Sequence, residues 1–479
     1  MSETRFLGRC VLSSAALLAA CSFTPPLERP ALPVAPAFEA AVPAGKPGAS
    51  PVAKDAADLA WQDFFIDARL RRLIALALDH NRDLRVALLT IEQTRAQYQI
   101  RRADQLPTIN AVASGLRQPT TGTSVSTAYN VGLAMTAYEL DFFGRVSSLK
   151  EVALAQYLAT REGAATARIS LIAAVANSYL SLLATEEALA LTRQTLQTRE
   201  ESQKLIQLRF DHGVTSELDL RLAESVTQGA RVALAQQQRQ RALDENALTL
   251  LVGQSVKAEL PARPARPADT PLGQAMLLAD VPAGLPSDLL VNRPDIRQAE
   301  QQLLASNANI GAARAAFFPR IALTVGVGSI SKQLSGLLES GSWAWSMAPQ
   351  LLLPIFDAGR NDAGLESAKA GQGIAVAQYE KAIQGAFREV SDALAARSTF
   401  AEQLNAQTAQ AAAESTRLRL ADLRYQNGIS SYLDLLDAQR SLFASQQAVV
   451  QTRLAQLQSQ VTLYKALGGG WKEPTAAKP

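Results

Sequence analysis

Two periods of apolar residues take turns along this chain. From Phe64 to about Asp104, Leu70, Leu73, Ile74, Leu76, Ala77, Leu84, Ala87, Leu88 and Ile91 recur at steps of three and four, which predicts helix ending at Asp104-Gln105-Leu106-Pro107. The period then falls to two. In Tyr129–Ala137, Ile321–Gly328 and Trp343–Ala348 the larger apolar residues alternate with small or polar ones, and Thr108–Leu116 is a weaker fourth case. Alternation over about ten residues with one apolar face predicts transmembrane β-strands. Trp343 and Trp345 would then face lipid near an interface, as girdle aromatics do. Two soluble hairpins, each with one packed face, would show the same alternation.

Helical pattern resumes after Asp141–Arg145 and again after Ile355–Arg360, and runs without proline to Asp211 and to Gln426. Each stretch is roughly 65–70 residues, or ~100 Å at 1.5 Å per residue. No single globular core is that long, so these helices are predicted to pack lengthwise, as a coiled coil or a tube. Both end alike, in Leu208-Arg209-Phe210-Asp211-His212-Gly213-Val214-Thr215-Ser216 and Leu423-Arg424-Tyr425-Gln426-Asn427-Gly428-Ile429-Ser430-Ser431. Glycine supplies the left-handed residue that stops a helix, and the hydroxyl caps the next one. Ser216-x-x-Asp219 and Ser431-x-x-Asp434 read as capping boxes with Asp in the Glu position. The returning helices, Ser216–Leu251 and Ser431–Leu467, and the leading ones, Phe64–Asp104 and Pro286–Ala316, are about half as long.

The duplication is literal. Gly213 and Gly428 are 215 positions apart, as are Gly144-Arg145 and Gly359-Arg360, and Gly253 and Gly468. Asn81-Arg82-Asp83-Leu84 resembles Asn292-Arg293-Pro294-Asp295-Ile296, and Leu106-Pro107 resembles Phe318-Pro319. Solenoids have shorter periods and more copies, so this is a two-fold internal repeat. It divides the chain into a signal peptide (1–20), a Pro- and Ala-rich N-terminal tether (21–63), a first repeat (64–260), a crossover marked by Pro261, Pro264, Pro267 and Pro271 (261–284), a second repeat (285–468) and a C-terminal tail (469–479).

Composition narrows the function classes. A formal net charge of +3 over 479 residues is close to neutral, so nucleic acid is not an implied partner. The two histidines, His80 and His212, stand in unrelated contexts, which leaves no multi-histidine metal site. No nucleophile elbow, P-loop or metal-ligand spacing occurs, so neither an enzyme nor a cofactor is expected. Only Cys10 and Cys21 are present, and no disulfide framework can lie in the mature body. Arg5 and Arg9 precede an apolar run to Ala20, too short to span a membrane stably and characteristic of a signal peptide. Leu18-Ala19-Ala20-Cys21 resembles a bacterial lipobox, which implies cleavage before Cys21 and lipid on that residue. Ser22 follows it, not the Asp that usually retains lipoproteins at the inner membrane. An ordinary secretory signal with a chance cysteine is the bland counterpart.

Four strands cannot close a barrel, and an open edge cannot exist in lipid. The chain is therefore expected to oligomerise, and three copies would supply twelve strands. The duplicated order of helix, hairpin, long helix and returning helix resembles the TolC family of outer-membrane efflux ducts. The lipobox together with Leu433-Asp434-Leu435-Leu436-Asp437-Ala438-Gln439 resembles its OprM/NodT-type lipoprotein branch. The resemblance implies a mainly α fold with membrane β: a homotrimer whose twelve-stranded outer-membrane β-barrel, four strands per chain, continues into a long periplasmic α-helical barrel. It further implies a passive channel in a tripartite efflux system. Substrate would arrive from a proton-driven inner-membrane pump through a periplasmic adaptor, with outer-membrane lipid around the barrel.

The same resemblance places a periplasmic gate at the glycine hairpins. It carries the constriction to Arg424, Tyr425, Asp434 and Asp437, with Asp219 as the first-repeat carboxylate. Asp434 and Asp437 share one helical face, and three chains would make six carboxylates around an iris, closed by pairing with Arg424 or hydrogen bonding to Tyr425. Asp219 and Asp434 have an equal claim as helix caps. Asp437 does not, because the first repeat has Leu222 at its position, and an acid present in one copy only is not explained by the shared fold. The first repeat also carries Phe210 where the second has Tyr425. The tips Gly213-Val214-Thr215 and Gly428-Ile429-Ser430 are the expected adaptor contacts. A lipid-anchored adaptor, a self-standing porin, and a duct for protein secretion or metal export are the rival readings.

Overall fold

The computed structural model describes residues 23–28, 30–35, 59–119, 125–259, 289 and 292–470. Cys21, the crossover 261–284 and the tail beyond residue 470 lie outside them. In chain order the elements are α1 (Trp61–Phe64), α2 (Ala68–His80), α3 (Arg82–Ala103), β1 (Ile109–Pro119), β2 (Val125–Glu139), α4 (Arg145–Asp211) and α5 (Glu217–Val252). The second half gives α6 (Pro294–Ala315), β3 (Arg320–Ser331), a 3-10 turn (Leu334–Leu338), β4 (Trp343–Leu352), α7 (Arg360–Gln426) and α8 (Tyr432–Ala466).

The leading helix of the first repeat is not the unbroken run that its periodicity predicts. The first piece stops at Phe64, and Asp67 caps the next, its carboxylate accepting from the backbone of Arg69 at 2.7 Å and Leu70 at 3.3 Å. Asn81 then interrupts again with an extended backbone. Its Oδ1 accepts from Leu84 N at 2.9 Å, while its Nδ2 donates to Leu251 O at 2.8 Å. A periodic apolar face continues across such a break, so hydrophobic spacing alone does not reveal it. The four-residue motif match also shifts by one. Arg293, not Asn292, stands where Asn81 does, and its Nη1 reaches Ala466 O at 2.9 Å, the carbonyl 215 positions after Leu251.

The described chain falls into two compact units. One comprises the described residues up to Ala31, Leu89–Glu162 and Arg297–Ala382; the other comprises those in Leu32–Leu88, Gly163–Ile296 and from Ile383 on. The first holds the sheet, antiparallel throughout in the order β1-β2-β3-β4. Each repeat gives one hairpin, and the two meet where Leu133 faces Val327, with a register shift between Met135 and Tyr138. Register brings Val131, Leu133 and Met135, then Val325 and Val327, then Trp345 and Met347 onto one face. The other face carries Asn130, Ala134, Gly326, Thr324, Ser346 and Ala348. Asp141 and Asp357 open the long helices, accepting from Val146 N at 3.1 Å and Asn361 N at 3.0 Å.

The second unit has a conventional apolar core along α4, from Ile169 through Val175, Ala176, Tyr179 and Leu182 to Leu189. By length and composition α4 could cross a membrane, but 61% of its most apolar window is buried inside the molecule. That apolarity belongs to helix packing. Tyr179 is 1% exposed and its hydroxyl donates to Asp67 at 3.0 Å, so burial beside a carboxylate pushes its pKa up. In this unit Gly253 and Gly468, at φ +79° and +80°, close the two returning helices. A Cβ on Gly253 would lie 2.5 Å from His80 O, and one on Gly468 2.7 Å from Asn292 O. Gly253→Ala should therefore cost more than the roughly 1–2 kcal/mol of a left-handed alanine alone. Gly213→Ala, whose added Cβ meets nothing within 4 Å, should stay near that figure. Thermal unfolding of both variants checks this; equal losses would mean that the His80 backbone yields freely.

Candidate functional site

The two glycine hairpins lie within the second unit and share one apolar cluster. Ile206, Leu220, Ala223, Tyr432, Leu435 and Leu436 are buried in it, with Phe210, Leu222, Val226, Leu418, Ala421 and Tyr425 packed around them. Both turns form as their sequences require. Gly213 and Gly428 take φ +73° and +71°, and the backbone N–H of Val214 and of Ile429 returns to the carbonyl of Arg209 and of Arg424 at 2.8 and 2.9 Å. Val214 and Ile429 themselves are 72% and 67% exposed. Thr215 donates to Asp219 at 2.9 Å, and Ser430 Oγ is buried with no described partner.

The carboxylates at the hairpins do different things. Asp434 completes a capping box on α8: its backbone N–H donates to Ser431 Oγ at 3.2 Å, and its Oδ2 accepts from Ser431 N at 3.1 Å. Asp219 makes a looser version, with Ser216 Oγ accepting from its N–H at 3.2 Å while its carboxylate takes both the Thr215 and Ser216 hydroxyls. Asp437 caps nothing. It is exposed and forms a short ion pair with Arg417 on α7. Arg417 also reaches Glu414 at 3.2 Å and Ser441 at 3.3 Å, and its carboxylate hydrogen bonds, Asp437 first, raise its pKa.

Tyr425 is held from the other repeat. Arg209 Nη1 donates to its hydroxyl at 3.0 Å, and the guanidinium carbon stands 5.1 Å from the centre of its ring. Its ring lies 5.6 Å from that of Tyr432, whose buried hydroxyl, pushed up in pKa by desolvation, is 3.2 Å from Ser202 Oγ. Nearby Arg199 lies 5.8 Å over Phe443 and donates to Val226 O at 3.1 Å; burial, then repulsion from Arg440, lowers its pKa. The gate residues expected from the sequence are thus not one cluster. Arg424 is exposed and its side chain meets neither Asp434 nor Asp437.

Sequence reasoning missed Arg209 and Arg417 as partners, although a signal for both exists. Arg209 and Phe210 are the repeat mates of Arg424 and Tyr425, so a cross-repeat pairing of Arg209 with Tyr425 follows from the symmetry, and its mirror image would set Arg424 against a phenyl ring. Arg417 and Asp437 stand where the first repeat has Ser202 and Leu222; two departures from the repeat fall on facing positions of one hairpin. Trp343 and Trp345 are both 67% exposed on β4, beside Met347 and Leu351. Phe142, Phe317 and Phe356, at the turns between strands and helices, are exposed aromatics that were not singled out. Among the described residues no group of three or more His, Cys, Asp or Glu could hold a metal.

Comparison with known proteins bears on what such a chain does. Residues 73–254 and 285–469 match the family model described as outer membrane efflux protein. The chain is 47% identical over 472 residues to the antibiotic efflux pump outer membrane protein ArpC of Pseudomonas putida, covering 96% of this chain and 95% of that one. It is likewise 47% identical over 473 residues to the outer membrane protein OprJ of Pseudomonas aeruginosa, covering 97% and 96%. The open state of the MtrE outer membrane channel of Neisseria gonorrhoeae superposes with a TM-score of 0.85 at 42% identity, covering 94% of this chain and 99% of that one.

The capping geometry carries its own prediction. Ser431→Ala should lose about 1 kcal/mol of stability, as removal of an N-cap hydroxyl does. Asp437→Ala, at an exposed pair, should leave the denaturation midpoint unchanged. Chemical denaturation of the two purified variants separates cap from surface pair, and a large loss in Asp437→Ala would make that residue structural.

Proposed function

The chain belongs to the outer membrane efflux protein family, and from that premise we propose how its parts serve export. It is the outer-membrane channel of a tripartite efflux system, a transport protein that conducts what an inner-membrane pump delivers through a periplasmic adaptor. The observation that carries this reading is the sheet: two unpaired edges, β1 and β4, and an exposed apolar face running through Leu133, Val327 and Trp345. In lipid those edges must be paired. Three copies, giving twelve strands, close the ring as a homotrimer. Lipid on Cys21, a proton-driven pump and adaptor contact at Val214 and Ile429 complete the proposed assembly. Antibiotics, which the ArpC relative is named for exporting, are the proposed cargo.

The gate reading is narrower than the one drawn from sequence. With Asp434 spent on its helix N-terminus, Asp437 is the carboxylate of the proposed ring, one per chain, held by Arg417. The Arg209–Tyr425 contact is the proposed latch between the two hairpins of a chain. Such a ring prefers cations and narrows the mouth. Single-channel recording in planar bilayers tests it. Wild type should show small, flickering, cation-preferring currents, and Asp437→Ala and Tyr425→Phe should show larger ones, the former less selective. A large steady pore that neither variant alters would remove the gate; protein that never inserts would remove the barrel.

A further inference from the structure

The connection from β3 to β4 does not stand clear of the sheet. Its 3-10 turn, Leu334–Leu338, leans back and packs mainly on β3 and β2, the two inner strands. Ser329 and Ser331 hold it there, from positions of β3 that share a face with Val325 and Val327. Ser329 donates to the carbonyl of Leu337, and Ser331 Oγ accepts from Gln333 N at 3.2 Å. A Cβ on Gly336 would lie 2.5 Å from Ser331 Oγ, so glycine is what lets the turn come this close. Ser342 closes the far side. Its hydroxyl is 3.1 Å from Leu337 O and 2.8 Å from Glu339 O, while its carbonyl accepts from Ile330 N at 2.8 Å. Under the turn lies a cleft of about 670 Å³, with Val131 and Trp343 on the sheet side and Leu334, Leu337 and Leu338 on the other.

The serines of this turn hydrogen-bond to its own backbone, which leaves the cleft walls chiefly apolar. Leu337 is buried, but Leu334 is 68% exposed and Leu338 98%, so folding removes almost none of Leu338 from solvent. Connectivity says what surrounds it. Helices α4 and α7 follow the other ends of β2 and β4, which puts this turn at the outer end of the strands. In an outer membrane that end meets the outer leaflet, built of phosphorylated, multiply acylated glycolipid. We propose that the cleft binds an acyl chain of that glycolipid, one molecule per protein chain. Its volume falls within the roughly 300–1,000 Å³ of ligand clefts, and Val131 and Trp343 make it continuous with the lipid-facing side of the sheet. Lys332, exposed just past the end of β3, stands where a headgroup phosphate would meet it. Glu339 on the lining offsets that charge, so insertion of the acyl chain carries the affinity. A neighbouring copy fits less well, because it would pair at the β1 and β4 edges while the turn leans over β2 and β3. The proposal rests on the reading of the chain as a membrane channel.

The test reconstitutes the full-length protein in vesicles of phosphatidylethanolamine and lipopolysaccharide without O-antigen. The protein is then re-extracted in mild detergent and weighed by native mass spectrometry. Wild type should keep one glycolipid per chain. Leu338→Glu puts a carboxylate into the cleft at a residue too exposed to matter for folding, and should lower that retention at least about tenfold. Leu334→Ala should lower it in the same direction. Leu351→Ala, on the same face at the far end of β4, should leave it unchanged. No retained glycolipid, phospholipid retained in its place, or an equal loss in Leu351→Ala, the mark of a loose lipid shell, overturns the cleft. Protein that never enters the vesicles sinks the channel reading and the cleft with it; protein that inserts but keeps no glycolipid sinks the cleft alone.

Discussion

Backbone hydrogen bonding in lipid is the constraint on which the rest depends. A strand edge that water would satisfy has no partner in hydrocarbon, and β1 and β4 each present one. Within the chain the same problem is solved once, where the hairpin of the first repeat pairs with that of the second between β2 and β3. Closure between chains extends that solution. The apolar face points the same way: Trp343, Trp345, Met347 and Leu351 are all more than half exposed, an arrangement that in water would be an association surface and in a membrane is a fitted one.

Duplication gives the architecture, and the places where it fails carry the specific chemistry. The long helices α4 and α7 have 67 residues each, and both end in a glycine turn closed by the same backbone hydrogen bond. The glycines that end the returning helices approach equivalent backbones. Against that regularity, Arg293 replaces Asn81 and brings a buried guanidinium with it, paired to Asp295 at 2.5 Å and to Glu389 at 2.9 Å. Burial opposes that charge, but the two carboxylates outweigh it and hold the pKa up. Asp437 and Arg417 likewise form a charged pair where the first repeat has Leu222, packed on the apolar cluster, and Ser202, beside the Tyr432 hydroxyl.

Much of the fold was legible because its signals are local. Alternation gives strands, proline-free periodicity gives long helices, and glycine followed by a hydroxyl gives their turns. The break at Asn81 was not legible from periodicity: its cap on Leu84 is local, but the carbonyl that holds the other end of its amide is 170 residues away. At the candidate site Asp437 was readable as a departure from the repeat, but its partner within the chain, Arg417, was not. Arg424 and Asp437 are on opposite sides of the turn, and only the helical phase of α7 against α8 decides that Arg417 meets the acid. The contacts of residues 23–25 were not legible for a different reason. Proline and alanine supply little apolar surface of their own, and what fixes residues 23–25 is a groove made by residues more than 100 positions away.

The magnitudes at the hairpins say which contacts a gate can use. Burying a leucine is worth about 1.5–3 kcal/mol, and Leu220, Leu435 and Leu436 are each at most 4% exposed in a cluster that both hairpins build. The polar contacts beside it are solvent-screened and individually small: Arg417 and Asp437 have side chains 47% and 58% exposed. A gate that had to dissolve the cluster would be nearly an unfolding event. One that exchanges screened pairs while the cluster moves as a body needs only a small bias, such as the docking of another protein against Val214 and Ile429 could supply. The division of labour follows from exposure alone. Apolar burial keeps the two hairpins together, and the charges at their rim are left free to choose partners.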